Sequence, residues 1–546
     1  MDERWSRLGD DRAIRDVLAR YWRGIDRQDP ELVLGTYHPG AFDDHGYYQG
    51  PVEGFVETLR PGVWSYFEKT QHFAGNLQVD FVSADRARAE SYAVAHHVRR
   101  AAGEGGLESG GDRDLVYGLR YVDDFERRDG EWRIARRVCA WDWHRIDPVG
   151  GIPLPASYFR GHLSKADPVY AFPGPHGRRV EPSALVAKQA CQDTLMRYAR
   201  GVDRCDPGLV RSAYHPDAWD DHGGYQGSVD GFIAWLKPTV FDAHDCTMHK
   251  LGNMLIEIGD DGRSAFAETY AVAHHVARRT ANGSVEAEGA SDLVMGVRYL
   301  DRLEDRGAGW KIAHRQMSFE WERSLEIGSQ REYPGFLRGR RDGGDPVLAG
   351  SAHTTTHAGA RTAVAVPDAY QAVLDRAEID RQLVRYCRGI DRRDRELVRS
   401  TYHPDAFDDH GTYKGDVEGF LDFVEQEVHA RFRTTMHKLG QSLIEIDGDV
   451  ARAESYAICH HVMAEVMAEV TAEVMAESDP APPGASRDVT DWVMGIRYVD
   501  GFERRAGEWR IARRELRWEW VRTDRLAPLD PTWTHGRSDA QDPVFV

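Results

Sequence analysis

The chain has 546 residues, 41% of them hydrophobic, with 70 Lys and Arg against 89 Asp and Glu, a formal charge of −19 at neutral pH. Without a basic stripe, this balance argues against a nucleic-acid backbone or an anionic membrane as partner. No apolar run reaches the ~18 residues of a spanning helix, and the opening MDERWSRLGDDR is too charged for a signal peptide, so the cytoplasm is the expected compartment.

The chain then states one pattern three times. GIDRQDPELVLGTYHPGAFDDHGYYQG (24–50) returns without a gap as GVDRCDPGLVRSAYHPDAWDDHGGYQG (201–227) and GIDRRDRELVRSTYHPDAFDDHGTYKG (389–415). The repeat is too long for a solenoid module, so each unit is expected to bury its own core. Three tandem domains follow, at 1–170, 181–345 and 366–546. FPGPHG and a polar Ser, Thr, His, Gly and Ala stretch near 350–365 read as linkers. The six cysteines do not recur at equivalent places and supply no shared disulfide, zinc set or nucleophile; most read as small apolar fillers.

In the first unit, Ala13, Ile14, Val17, Leu18, Tyr21 and Ile25 form an apolar stripe at helical spacing. Asp29 and Pro30 read as cap and first position of a second helix, which ends near TYHP. A third short helix is expected from Val52. The period then changes to two through TQHFAGNLQVDFV, ARAESYAVAHHV, LVYGLRYVDDFE and EWRIARRVCAWDW, the mark of long antiparallel strands. Helices first and a meander after define an α+β unit. In the third unit VMAEVMAEVTAEVMAE follows His461 and reads as a duplicated loop.

Each first helix ends in an aspartate (Asp26, Asp203, Asp391), and a strand histidine (His72, His249, His437) follows 46 positions later. A carboxylate there faces the negative end of the helix dipole, so a compensating partner is expected, and the imidazole is the candidate. Alternation puts Thr70, His72, Ala74 and Asn76 on one face, with Asn253 and Gln441 as counterparts, a wall of a polar-spotted pocket. The pairing is either a catalytic dyad or a buried staple between helix and sheet.

DDHG (Asp43–His45 and its copies at 220–222 and 408–410) reads as a turn rather than a metal site, and no metal is expected. Tyr48, Tyr225 and Tyr413 after it are placed at the pocket mouth. Of the paired histidines His96/His97, His274/His275 and His460/His461, one ring of each pair faces the pocket, and the pattern does not choose which. Arg137, Arg315 and Arg514 read as a solvated ladder, and Trp132, Trp310 and Trp509 as core.

A helical half ending in Y-x-R-G-[IV]-D, the YHPDAxDDHGxYxG segment, the histidine strand and a late G-x-W-[RK]-I-A strand resemble the SnoaL-like branch of the nuclear transport factor 2-like superfamily, which holds dehydratases such as scytalone dehydratase and bile acid 7α-dehydratase and a dehydrochlorinase. The resemblance covers nearly all of each unit. It implies three cone-shaped α+β barrel domains, N-terminal helices packed on a curved antiparallel sheet. It also implies a cofactor-independent lyase acting on a small apolar cyclic substrate, with Asp26–His72, Asp203–His249 and Asp391–His437 as dyads and Tyr21, Tyr198 and Tyr386 as pocket tyrosines. An isomerase or cyclase using the same base, and a non-catalytic binding or scaffold module, are the alternatives. Trimeric relatives further imply that the fused chain folds back into a single-chain pseudo-trimer.

Overall fold

The structure is a computed structural model and describes residues 3–99, 113–148, 182–277, 290–327, 337–338, 366–463 and 490–526. The two linkers, the expected boundaries at 170, 181 and 345, and all but the first two residues of the VMAE segment lie outside them.

In the first unit α1 (Glu3–Asp26) and α2 (Pro30–Gly35) precede β1 (Tyr37–Asp44), β2 (Gln49–Pro51) and α3 (Val52–Leu59), and then come β3 (Lys69–Phe81), β4 (Arg86–Arg99), β5 (Arg113–Arg128) and β6 (Glu131–Pro148). The second unit repeats this as α4 (Pro182–Asp203), α5 (Pro207–Ser212), β7 (Tyr214–Asp221), β8 (Gln226–Ser228), α6 (Val229–Leu236), β9 (Cys246–Ile258), β10 (Ser264–Ala277), β11 (Ala290–Asp305) and β12 (Trp310–Ile327). A two-residue strand β13 (Leu337–Arg338) comes next. The third unit has α7 (Val366–Asp391), α8 (Arg395–Ser400), β14 (Tyr402–Asp409), β15 (Lys414–Asp416), α9 (Val417–Phe423), β16 (Phe432–Asp447), β17 (Val450–Met463), β18 (Thr490–Arg505) and β19 (Glu508–Arg525).

The predicted stripe of α1 is the helix's inner face: Ala13, Ile14, Val17, Leu18, Tyr21 and Ile25 are all buried. The short second helices start as the sequence implies. Asp29 accepts the N–H of Leu32, Asp206 that of Leu209 and Asp394 that of Leu397, satisfying donors that a helix start leaves open. The three tryptophans are core, and Trp132 Nε1 donates to Asp10 at 3.0 Å.

Two expectations are corrected. The sheet is not purely antiparallel: Tyr37–Asp44 is a strand pairing parallel with β6. The meander β3–β4–β5–β6 brings its last strand back beside β1, and both then run the same way. The sheet order β2-β1-β6-β5-β4-β3 leaves β2 and β3 as edges, so the sheet stays open and no barrel closes among the described residues.

The units touch through their histidine strands: β3, β9 and β16 contact one another pairwise. Behind them lie three equivalent apolar clusters, each shared by two units. Phe73 and Val98 join Tyr270, Val294 and Trp321; Met248 and Val276 join Tyr456, Val493 and Trp520; Tyr92, Val116 and Trp143 join Met436 and Val462. Buried ion pairs ring these contacts: Arg23 with Glu268 at 2.6 Å, Arg200 with Glu454 at 3.1 Å and Arg388 with Glu90 at 3.1 Å. Among the described residues no helix is long and apolar enough to cross a membrane.

Candidate active site

Asp26 is the last residue of α1 and fully buried. Its carboxylate accepts three hydrogen bonds, from Thr70 Oγ1 at 2.9 Å, from the His72 backbone N–H at 2.8 Å and from His72 Nδ1 at 2.6 Å. The other copies match: Asp203 meets Thr247 at 3.0 Å, the His249 N–H at 2.9 Å and Nδ1 at 2.7 Å, and Asp391 meets Thr435 at 2.9 Å, the His437 N–H at 2.8 Å and Nδ1 at 2.6 Å. Burial would raise each carboxyl's pKa, but the imidazole and the bonds to it outweigh that and leave all three below the usual carboxylate value. The interaction that the helix dipole opposes is thus supplied from the strand.

With Nδ1 committed to the carboxylate, Nε2 is the ring nitrogen left for another partner. The histidine rings retain 6–7% exposure. The second ring of each HH pair stands edge-on to the first: His72 and His97 centroids are 5.2 Å apart, His249 and His275 5.1 Å, His437 and His461 5.1 Å. Burial and the neighbouring imidazole push His97 down to about 3 and His461 well below its ordinary value, so these rings are neutral beside the dyad. The first ring of each pair points the other way, where His96, His274 and His460 bind Asp114, Asp292 and Asp491. Alternation along the strand separates the two roles.

The walls differ between units. His97 meets Phe67 and Tyr117 in the first, and Tyr117 stacks on His144 at 4.5 Å. The cross-strand pair Tyr117–His144 becomes Met295–Glu322 and Met494–Val521 in the other two. In the third unit Cys459 stands opposite His437 where the others have Ala95 and Ala273. Burial disfavours the charged His437 ring, but Cys459 and Asp391 outweigh it and lift it to about 10.

Three groups of expected site residues lie elsewhere. Asn76, Asn253 and Gln441 do not face the dyads. A register shift between Ala74 and Leu77, repeated in β9 and β16, is a bulge that breaks the alternation and turns these amides onto the next unit's strand. Asn76 donates to the His437 carbonyl at 2.9 Å and accepts from Leu439 N–H at 2.9 Å; Gln441 donates to the His249 carbonyl and accepts from Leu251 N–H; Asn253 accepts from Ala74 N–H. They line a central cavity of about 240 Å³ between the first helices and histidine strands.

Tyr48, Tyr225 and Tyr413 are not on the dyad wall either. Each phenol donates to a carbonyl three residues on, that of Pro51, Ser228 or Asp416, and the ring packs in the turn before α3, α6 or α9. Tyr21, Tyr198 and Tyr386 are buried and hydrogen-bond His45, His222 and His410 at 3.2, 2.9 and 3.1 Å. Those histidines bind Asp43, Asp220 and Asp408 through Nδ1, so DDHG is a strand end carrying a second Asp–His pair. Among the described residues no group of three or more His, Cys, Asp or Glu forms a metal-ligand cluster.

The arginine ladder is also corrected. Arg137, Arg315 and Arg514 are buried, bidentate to Asp123, Asp301 and Asp500, and lie 3.9–4.0 Å from the Tyr21, Tyr198 and Tyr386 rings. Alternation hid this, because outward arginines on the same strand look identical in sequence.

The chain belongs to the SnoaL-like domain family, whose model matches residues 6–138, 183–316 and 371–515. It is 26% identical over 149 residues to hexachlorocyclohexane dehydrochlorinase 1 of Sphingobium indicum, covering 27% of this chain and 89% of that protein. Among solved structures, a type 2 hexachlorocyclohexane dehydrochlorinase aligns at 21% identity over 28% of this chain and 97% of its own, with a TM-score of 0.24. A scytalone dehydratase-type protein of Novosphingobium aromaticivorans aligns at 22% identity over 27% and 98%, with a TM-score of 0.23.

Proposed function

We propose that the chain is a cofactor-independent lyase with three elimination sites, built as a single-chain pseudo-trimer of units 1–170, 181–345 and 366–546. In each unit the histidine Nε2 removes a C–H proton that a neighbouring carbonyl or electron-poor ring makes acidic, while hydroxide or halide departs from the adjacent carbon. Asp26, Asp203 or Asp391 fixes the tautomer that presents Nε2 and stabilises the imidazolium that forms. The observation that carries this reading is the threefold-repeated carboxylate holding Thr, backbone and imidazole at 2.6–3.0 Å. The family membership and the dehydrochlorinase relative support a small, largely apolar cyclic substrate, and the unequal walls support unequal specificities. Six free thiols suit a reducing compartment, the cytoplasm.

The test is a panel of hydroxylated and halogenated cyclic compounds, read by product mass and halide release. Wild type is expected to turn over at least one compound, with loss of at least 10³-fold in the triple variant His72→Gln, His249→Gln, His437→Gln. Rearrangement without loss of a group would convert the reading to an isomerase. The 6–7% exposure of the dyad rings favours a binding or scaffold module as the second reading, and tight binding without turnover would establish it.

A further inference from the structure

The residue after each dyad histidine points away from the pocket, toward the axis where the three sheets meet. It is Phe73 in the first unit but Lys250 and Lys438 in the others, opposite Val94, Val272 and Ile458. Both lysines are essentially inaccessible. Lys250 Nζ donates to the Lys438 carbonyl at 2.8 Å, and Lys438 Nζ donates to the Phe73 carbonyl and lies 3.8 Å from the centre of the Phe73 ring. Among the described residues neither ammonium forms an ion pair with a carboxylate.

A cavity of about 30 Å³ lies at this point, lined by the two lysines together with His96, His274, His460, Arg145 and Arg323. The acids that pair with the lining histidines and arginines are already engaged. Asp114, Asp292 and Asp491 hold the histidines, while Asp147 and Asp524 hold Arg145 and Asp147 also holds Arg323. The two ammonium groups are therefore buried without a counter-charge, an arrangement that is costly in a low-dielectric interior. The space is large enough for a water-sized particle such as a monoatomic anion.

We propose that this axial cavity is a halide site, in which one monoatomic anion, chloride in solution, lies between Lys250 Nζ and Lys438 Nζ. The anion supplies the missing charge, and the carbonyl bonds hold both ammonium groups in place around it. Burial presses Lys250 down to about 7, and burial together with the neighbouring Lys250 charge presses Lys438 well below its ordinary value; a bound anion opposes that shift. Phe73 in place of a third lysine limits the charge to two and closes one side of the cavity. The site is separate from the dyads and does not depend on the lyase reading.

The test uses the full chain. Crystals soaked in bromide are expected to give an anomalous peak between the two Nζ atoms. The thermal midpoint is expected to rise with the logarithm of chloride or bromide concentration, at fixed ionic strength with isethionate as the replacing anion. Lys250→Met or Lys438→Met should abolish the halide-specific rise. No peak, or a peak with no halide-specific rise in midpoint, overturns the proposal. If neither variant folds, the wild-type map and titration decide it alone.

Discussion

Asp26 occupies the helix end least hospitable to a carboxylate, and three hydrogen bonds reverse that disadvantage. Removing it strands two N–H groups and a hydroxyl in a dry site, so Asp26→Ala is expected to cost about 2–4 kcal/mol, measured by urea unfolding, with Asp26→Asn costing less. The second histidines fix the response to acid. Burial holds His96 at about 4 and His97 at about 3, against an ordinary 6.5. The unfolded chain therefore takes up these protons first, and stability falls as pH drops below 6.5 toward 4, by about 1.4 kcal/mol per pH unit for each ring. Urea midpoints at pH 7, 6, 5 and 4 check the slope. His437 behaves oppositely. Lifted to about 10, it contributes stability that is complete below 6.5 and lost as pH rises through 10. Cys459→Ala is expected to bring its titration, followed by imidazole NMR, down toward neutrality. The aspartate and histidine were legible because their spacing repeats. Which ring of each HH pair turns toward the Asp–His pair was not, since adjacent strand residues differ only in the side of the sheet they face.

At the scale of elements, small backbone irregularities decide where side chains go. The bulges after Ala74, Leu251 and Leu439 move three amides from the expected pocket wall to the contacts between units, and no residue type in TQHFAGN announces a bulge. In β5, β11 and β18 a glycine faces a tryptophan: a Cβ on Gly118 would lie 2.1 Å from the Trp143 ring, and one on Gly296 2.2 Å from that of Trp321. Gly118→Ala is expected to displace the indole from the cluster shared with the third unit and to cost about 1–3 kcal/mol, read as a lowered denaturation midpoint. The turn after the first helix holds Gln28, Cys205 and Arg393 at φ of 55, 52 and 56°, left-handed backbone that an L residue adopts at a penalty. Cys205→Gly is expected to be neutral or stabilising by up to about 1 kcal/mol, because glycine adopts that conformation without strain.

At the scale of the molecule, three units share apolar clusters and reciprocal charges. Arg27 contacts Glu320 across units at 3.3 Å, and both are fully buried. Burial would raise Glu320, but Arg27 and Arg298 hold it far below the carboxylate range. Arg27→Met therefore leaves part of that charge uncompensated, and a loss of about 3 kcal/mol is expected. Small-angle scattering on the full chain should give a compact particle; an extended string of three beads would contradict the pseudo-trimer.

By itself the sequence determined that there are three units, that each is helices followed by a strand meander, and that one aspartate and one histidine recur in register. Those properties rest on periodicity, capping and spacing, which are local or repeated. Only the tertiary structure decided that Arg137 is buried, that Asn76 belongs to a neighbouring unit, and that Lys250 and Lys438 converge on one axis. Each of those depends on which surfaces of distant strands meet, and the period-two pattern of a strand buried on both faces carries no record of its partner.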